Sequence, residues 1–238
     1  MFELGIQKNW IDALYARSSV RQYTSAPDKA QLDKLGETCR KLSWQGVKIR
    51  MFKGPGLKSQ IKGTDVYAVI VAKRGTPMEV EGYMGEALVL EATSMGLGTC
   101  WLGAGFYPDI INRNVDLQTD EAVHCVISIG KANLPAFAPK RKELVKVCGM
   151  DEAQLGQLGA WQKEAVLAAR LAPSAINQQP WKIVADKTSV SILETTVLYK
   201  KYAPLDRGIC MLHAAVGAAK AGRTGLWKKV DGGYAMKA

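Results

Sequence analysis

LAPSAINQQPWKIV, residues 171–184, decides how this chain is read. An apolar helix runs into it and a strand leaves it. Between them stand Pro173, Ser174, Asn177, Gln178, Gln179, Pro180 and Trp181. So many small polar groups between two buried elements, so late in the chain, ask for a function. Outward from this stretch, residues 151–171 read as a helix. "PWKIVAD" and "SVSILET" read as a hairpin of strands, "LDRGICMLHAAVGAAKAG" (205–222) as a helix stopped by a glycine, and residues 223–238 as closing strands.

The first part of the chain has the same order. Residues 5–16 carry Ile6, Trp10 and Leu14 at helical spacing. Ala-Pro-Asp opens a second helix over about 28–42. "VYAVIVAK" (66–73) is a short apolar run rich in β-branched residues, hence a buried strand. A helix then runs through Met95 and stops at Gly96, "TCWLGAG" reads as a strand leading into a glycine turn, and 123–132 is another buried strand. "NLPAFAPKRKELV" is irregular and ends in a basic cluster. "APDKAQLDKLGETCRKLSWQGVKIRMF" resembles "GMDEAQLGQLGAWQKEAVLAARLAPSAINQQPWKIV" in outline, and "GYMGEALVLEATSMGLGTCW" resembles "DRGICMLHAAVGAAKAGRTGLW". The spacing is too long for a solenoid and implies a duplicated half-domain. The repeats are residues 1–150 and 151–238, together forming one compact unit.

The whole chain sets the bounds. It has 238 residues, 47% of them apolar and 23% charged, an ordinary globular composition. No apolar run reaches a membrane span and the N-terminus lacks an export signal, so the expectation is a soluble, cytoplasmic protein with no membrane partner. Five scattered cysteines, never spaced C-x-x-C, argue against a disulfide framework or a metal site and for buried thiols. His124 and His213 are the only histidines, and packing accounts for both. A net charge of +10 attracts polyanions. Lys and Arg are spread thinly, however, in short clusters such as "PKRKELVK" (139–146), "YKKY" (199–202) and "WKK" (227–229). That pattern suits a small phosphorylated ligand as well as nucleic acid, and no nucleic-acid partner is expected.

"ARSSVRQY" (16–23) places two arginines four apart around two hydroxyls, a donor set suited to phosphate oxygens. "RSSVRQY", "PSAINQQPW", "GLGTCWLGAG" and "SIGKANLPAFAPKRK" together resemble motifs of the nitroreductase superfamily, in its double-repeat branch. The resemblance covers nearly the whole chain, and "PSAINQQPW" is its most specific piece. It implies an α+β, nitroreductase-like fold with two tandem half-domain repeats forming an intrachain pseudo-dimer. The implied cofactor is FMN.

The chain departs from the ordinary pattern in one respect. The Pro-Ser-x-x-Asn-x-Gln-Pro-Trp motif normally follows the Arg-Ser-x-Arg motif within one half-size unit, whereas here the two lie in different repeats. The equivalent place in repeat one, "KLSWQGVKIRMF", has lost the Pro, Asn and Gln-Pro-Trp. Repeat two has no Arg-Ser-x-Arg and no late basic cluster. In ordinary dimers one subunit supplies the arginine loop, the glycine turn and the late basic residues, and the other supplies the Pro-Ser loop. Carried over, repeat one offers Arg17, Ser18, Ser19, Arg21, Gly103, Ala104, Gly105, Lys140 and Arg141, and repeat two offers Pro173, Ser174, Ala175 and Asn177. Together they make one flavin site and leave the other without both halves.

The resemblance implies that Arg17, Ser19, Lys140 and Arg141 neutralise the phosphate and that Arg21 sits nearer the pyrimidine edge. The 103–105 backbone donates to N5, and Gln60 or Lys62 reaches the ribityl tail. NAD(P)H and a nitroaromatic, quinone or similar small acceptor are the implied partners, for a monomer acting as a pseudo-dimer. No catalytic side chain is named, because the cofactor carries the chemistry. Three alternatives stand beside this: another flavin reaction such as dehalogenation, a flavin-binding or regulatory protein without turnover, and a nucleic-acid binder.

Overall fold

The computed structural model describes residues 4–44, 46–54, 60–103, 106–133 and 140–237. Two compact units divide the chain. One comprises residues 16–77 and 84–138, and the other residues 1–15, 78–83 and 139–238. All five cysteines are buried, and no helix of the described residues is long and apolar enough to cross a membrane.

In order, the elements are α1 (Asn9–Ala16), α2 (Lys29–Lys41), β1 (Val47–Lys53), β2 (Val66–Lys73), α3 (Met78–Ser94), β3 (Gly98–Leu102), α4 (Pro108–Asn114) and β4 (Glu121–Gly130). There follow α5 (Leu144–Cys148), α6 (Glu152–Gly156), α7 (Ala160–Arg170), β5 (Trp181–Ala185), β6 (Ser189–Glu194), α8 (Ala203–Lys220), β7 (Leu226–Val230) and β8 (Gly233–Lys237). The duplication read from sequence appears as topology. One sheet has the order β1-β2-β4-β3 and the other β5-β6-β8-β7, the same permutation, with every pair antiparallel. In each, a long buried helix follows the second strand.

Local chemistry repeats with the topology. Asp28 caps α2 by accepting from Gln31 N, and Gln31 returns a bond to the Asp28 N–H. Asp151 and Gln154 form the same reciprocal cap on α6; such boxes satisfy two of the orphan donors of a helix start. Gly96 (φ 75°) and Gly222 (φ 74°) follow the ends of α3 and α8 in the left-handed conformation that glycine adopts without strain. They stand 126 positions apart, as do Trp101 and Trp227 on the strands that follow.

The reading differs from the structure in four places, one being strand β1 (Val47–Lys53), which it did not name. The helix expected over 151–171 is two helices, because Gly156 and Gly159 bracket a break and Gly159 is extended (ψ 156°) as the cap of α7. Glycine loses the most backbone freedom in a helix, so two of them three apart favour the break. The short helices α4 and α5 were not anticipated, their apolar residues being too few to show a period. The helix expected from residue 5 begins at Asn9.

The sheets differ on one face. In the first unit, β2 is buried along nearly its whole length. Tyr67, Val69 and Val71 meet Ile111 and Val115, with Phe106, Ile110 and Leu117 packed beside them. The chain that does this is residues 106–120 of the β3–β4 connection. In the second unit the β7–β8 connection is only Asp231 and Gly232. Its sheet alternates buried and exposed positions, as a sheet with one solvated face does.

Helices α3 and α8 are buried all round, the mark of a core helix. Within the second unit the first turn of α3 crosses α8 at two glycines. A Cβ on Gly82 would fall on the Leu205 carbonyl, and a Cβ on Gly208 would fall on the Glu79 carbonyl. Gly82 and Gly208 are 126 positions apart, and so are Glu79 and Leu205. The contact is therefore reciprocal: each glycine meets the counterpart of the residue that the other meets. Beside it, Arg207 Nη2 donates to Glu79 Oε1 at 2.7 Å in a buried ion pair.

Candidate functional site

The arginine loop lies in the first unit as an extended edge. Ser19 bridges Thr99 in parallel, with Val20 N donating to Thr99 O at 2.8 Å. Lys62 N donates to Arg21 O (3.0 Å) and Tyr23 N to Lys62 O (2.9 Å), which brings Lys62 alongside the loop. Val20 and Tyr23 anchor the segment inward, the Tyr23 hydroxyl reaching Val20 O and the Ser128 hydroxyl, both at 2.8 Å. Burial pushes the Tyr23 phenol well above its ordinary value. Ser19 is half-buried and Arg21 exposed. Both line an open cavity of about 420 Å³ with Gln22, Tyr23, Thr24 and Asn133.

Arg17 is 7% exposed. Its Nε stands 3.9 Å from Glu86 Oε1 and its Nη2 3.4 Å from Ser19 Oγ. Burial lowers the guanidinium pKa, against Glu86 and Cys100, which raise it. Glu86 is fully buried on α3 and takes a 2.7 Å bond from the Trp101 indole N–H. Gly85 makes room for that indole, since a Cβ there would strike the ring. Arg17 Nη1 and Ser18 Oγ are buried with no hydrogen-bond partner among the described residues. A buried donor without an acceptor costs free energy, so native proteins seldom leave one. Trp181 Nε1, Arg207 Nε and Trp227 Nε1 are likewise buried without a hydrogen-bond partner among the described residues. Gly103 follows β3; Ala104 and Gly105 lie outside the described residues.

The second unit holds the Pro-Ser loop and the basic cluster together. Arg141 Nε donates to Leu171 O (3.2 Å) and Nη1 to Asn177 Oδ1 (3.1 Å). Asn177 Nδ2 returns a bond to Lys140 O at 3.0 Å. Lys142, which the sequence reading passed over, binds Gln179 Oε1 through its N–H and the Gln178 carbonyl through Nζ. Gln178 pairs its amide with both backbone groups of Tyr199. Gln179 N donates to Ser174 Oγ at 2.8 Å. This density of bonds holds Ile176 (φ 48°), Asn177 (φ 57°) and Gln179 (φ 49°) in the left-handed region, where side chains are unfavourable. Pro173 is buried, and Ser174 and Ala175 are half-buried.

The structure thus brings together Arg17 and Ser19, with Ser18 between them in the chain and Arg21 further along the same edge, and Lys140, Arg141 and Asn177 in another cluster with Pro173, Ser174 and Ala175. Sequence reasoning missed Glu86, Trp101, Lys142 and Asp206. A signal was available for Asp206, the single carboxylate of an otherwise apolar helical run, but not for Glu86, one of four glutamates on α3.

Asp206, in the first turn of α8, is 3% exposed and takes the Ala175 N–H on both oxygens at 3.1 Å. Burial pushes its pKa up to about 7, against the pull of the Ala175 N–H and of Arg207. An acid whose folded-state pKa is raised binds its proton more tightly when folded. Its cost to stability is absent at acid pH, grows as pH rises from the ordinary aspartate range to about 7, and is constant above. Asp206→Asn should therefore raise Tm relative to the parent by more at about pH 8 than at about pH 5. Thermal melts at both values check this, and an equal or reversed difference counts against it.

Two matching four-stranded sheets, each with a long buried helix after its second strand, make a mixed α+β fold. The chain belongs to the family described as Putative TM nitroreductase, whose model matches residues 9–218. It is similar to the solved structure of a putative nitroreductase from Thermotoga maritima, with 23% identity, TM-score 0.72, and coverage of 100% of this chain and 97% of that one. A nitroreductase with bound FMN from Desulfitobacterium hafniense matches at 15% identity and TM-score 0.48, over 61% of this chain and 100% of that one. An FMN-dependent nitroreductase from Clostridium difficile matches at 21% identity and TM-score 0.44, over 55% and 91%. No curated protein matches. Membership of this family points to an oxidoreductase.

Proposed function

We propose that the chain is an FMN-dependent oxidoreductase that carries hydride from NAD(P)H to a nitroaromatic, quinone or similar acceptor. The observation that carries this is the pair of buried, unpartnered donors Arg17 Nη1 and Ser18 Oγ, within a family of nitroreductases. A phosphate supplies the acceptors those donors lack, so the residues present fit FMN. Bound FMN would supply hydride acceptance at N5 and delivery to a second substrate.

Every other role falls to the chain. Arg17, Ser18 and Ser19 hold the phosphate, with Lys140 and Arg141 contributing charge. Glu86 keeps the Arg17 fork aimed. Arg21, exposed on the same edge, offers a cation for the electron-rich end of the reduced ring, which favours reduction. Gly103, which follows β3, carries no side chain to obstruct the ring. Pro173, Ser174, Ala175 and Asn177 line the other face, and their bonding to the basic cluster and Asp206 keeps that loop rigid before ligand arrives.

One flavin per chain is the second part of the proposal, with the repeats as a pseudo-dimer. Three observations support it. The sheet orders match, the glycine crossing of α3 and α8 is reciprocal, as contacts about a two-fold axis are, and the β7–β8 connection is only Asp231 and Gly232, far shorter than the β3–β4 connection. Ser43→Ala, in the repeat-one counterpart of the Pro-Ser loop, should leave FMN affinity within about twofold. Gln45, the other counterpart position, lies outside the described residues.

The test is reconstitution. Protein incubated with FMN and passed through gel filtration should emerge yellow and bleach anaerobically with NADH or NADPH. Colourless protein contradicts the flavin reading, and yellow protein that neither nucleotide bleaches contradicts the NAD(P)H step.

A further inference from the structure

We propose that Asp206 is the positioning residue of the Pro-Ser loop: its ionised carboxylate holds the Ala175 N–H, and with it the flavin-facing backbone of residues 173–177, so that flavin binding weakens when Asp206 takes up a proton. This rests on the flavin reading above and adds a residue outside every motif that suggested it.

The argument begins with the strain in the loop. Ile176, Asn177 and Gln179 all hold left-handed backbone without being glycine. Such a conformation persists only where surroundings over-determine it. Along its later part the loop is tied by Arg141 and the Lys140 carbonyl on Asn177, by Lys142 on Gln178 and Gln179, and by Tyr199 on Gln178. At Ala175, where the chain enters the strained turn, the tie is Asp206, with both oxygens on one N–H. Other ties to the early part are Arg141 Nε on the Leu171 carbonyl, Asn177 N on the Ser174 carbonyl, and Ser174 Oγ, which accepts from Gln179 N and is itself a candidate flavin contact. Asp206 is thus the side chain that fixes the Ala175 N–H at the entry to the strained turn.

The choice of residue supports the role. Burying a carboxylate is costly, and an asparagine or threonine would accept one N–H at less cost. What the carboxylate adds is a charge-assisted bond, stronger than a neutral one. The positive end of α8 and the neighbouring Arg207 favour that charge. The charged and titratable groups about Asp206 are Arg207, turned toward Glu79 at 2.7 Å and Glu194 at 3.9 Å, and the Cys210 thiol one turn on. The loop presents a backbone N–H. Burial among these groups places the titration of Asp206 near neutrality, at about 7.

Riboflavin separates this effect from any other. It lacks the phosphate, so the second phosphate ionisation and the Arg17 cluster drop out of the pH dependence. Binding is followed by flavin fluorescence between about pH 6 and pH 8, with the Ala175 amide resonance followed over the same range in flavin-free protein. In the parent, riboflavin should bind about tenfold more weakly at the acid end, and the Ala175 amide should shift with one midpoint near neutrality. In Asp206→Asn both profiles should be flat, the amide oxygen still accepting from Ala175. A parent profile that is flat, or one that survives unchanged in Asp206→Asn, overturns the proposal. If no flavin binds at any pH, the functional reading fails. The Ala175 resonance still decides the Asp206 anchor: titration supports it and silence overturns it.

Discussion

Alanine at position 17 should raise the Kd for FMN by roughly ten- to a hundredfold while changing that for riboflavin by less than about threefold. A charge-assisted hydrogen bond contributes about 1.5–3 kcal/mol, and each 1.4 kcal/mol is tenfold in affinity. Arg17 is held beside Glu86 and Ser19 with Nη1 unpartnered, so its contact is a preformed one whose loss is felt in full. Riboflavin differs only in lacking the phosphate, which makes the ratio of the two effects the informative quantity. Arg17→Lys should recover part of the loss, since it restores charge but not the planar fork. Fluorescence titration with both flavins measures all of this. Equal losses for the two ligands would remove Arg17 from the phosphate.

Valine at position 208 should cost stability more than any change at the flavin site, about 3 kcal/mol or more, and valine at 82 should cost a similar amount. At both positions the added Cβ meets a backbone carbonyl of the crossing helix, which cannot rotate away as a side chain can. With total stabilities of about 5–15 kcal/mol, either change leaves little margin. The similarity of the two losses is the sharper test, because it follows from reciprocity and not from crowding alone. Urea unfolding of each variant measures it. A large loss at Gly208 with none at Gly82 would mean that the glycines do not play equivalent parts.

Much of this was legible in the chain, and the boundary is physical. Buried strands such as "VYAVIVAK" announced themselves by composition, and Gly96 and Gly222 marked helix ends because few other residues adopt positive φ there. The duplication was visible as element order, yet the shared strand permutation and the glycine crossing were not, since pairing and packing are set by contacts remote in sequence. Helix α4 escaped notice although it covers a sheet face in the first unit, its seven residues being too short for a period. The arginine cluster was half legible. "RSSVR" spelled the donors, but nothing local said that Glu86, some seventy positions on, would take one side of Arg17 and leave Nη1 open. Asp206 was hidden for the same reason: the sequence shows a carboxylate entering an apolar helix, and only the fold shows the Ala175 N–H above it.

Complementary loss is the central claim: each repeat keeps the part of one flavin pocket that the other has given up. Flavin stoichiometry tests it most directly. Protein saturated with FMN, freed of excess ligand and assayed for flavin against chain concentration, should hold one equivalent per chain. Two equivalents would contradict the account, since the second would have to bind where neither an Arg-Ser-Ser-Val-Arg loop nor a Pro-Ser-x-x-Asn loop exists.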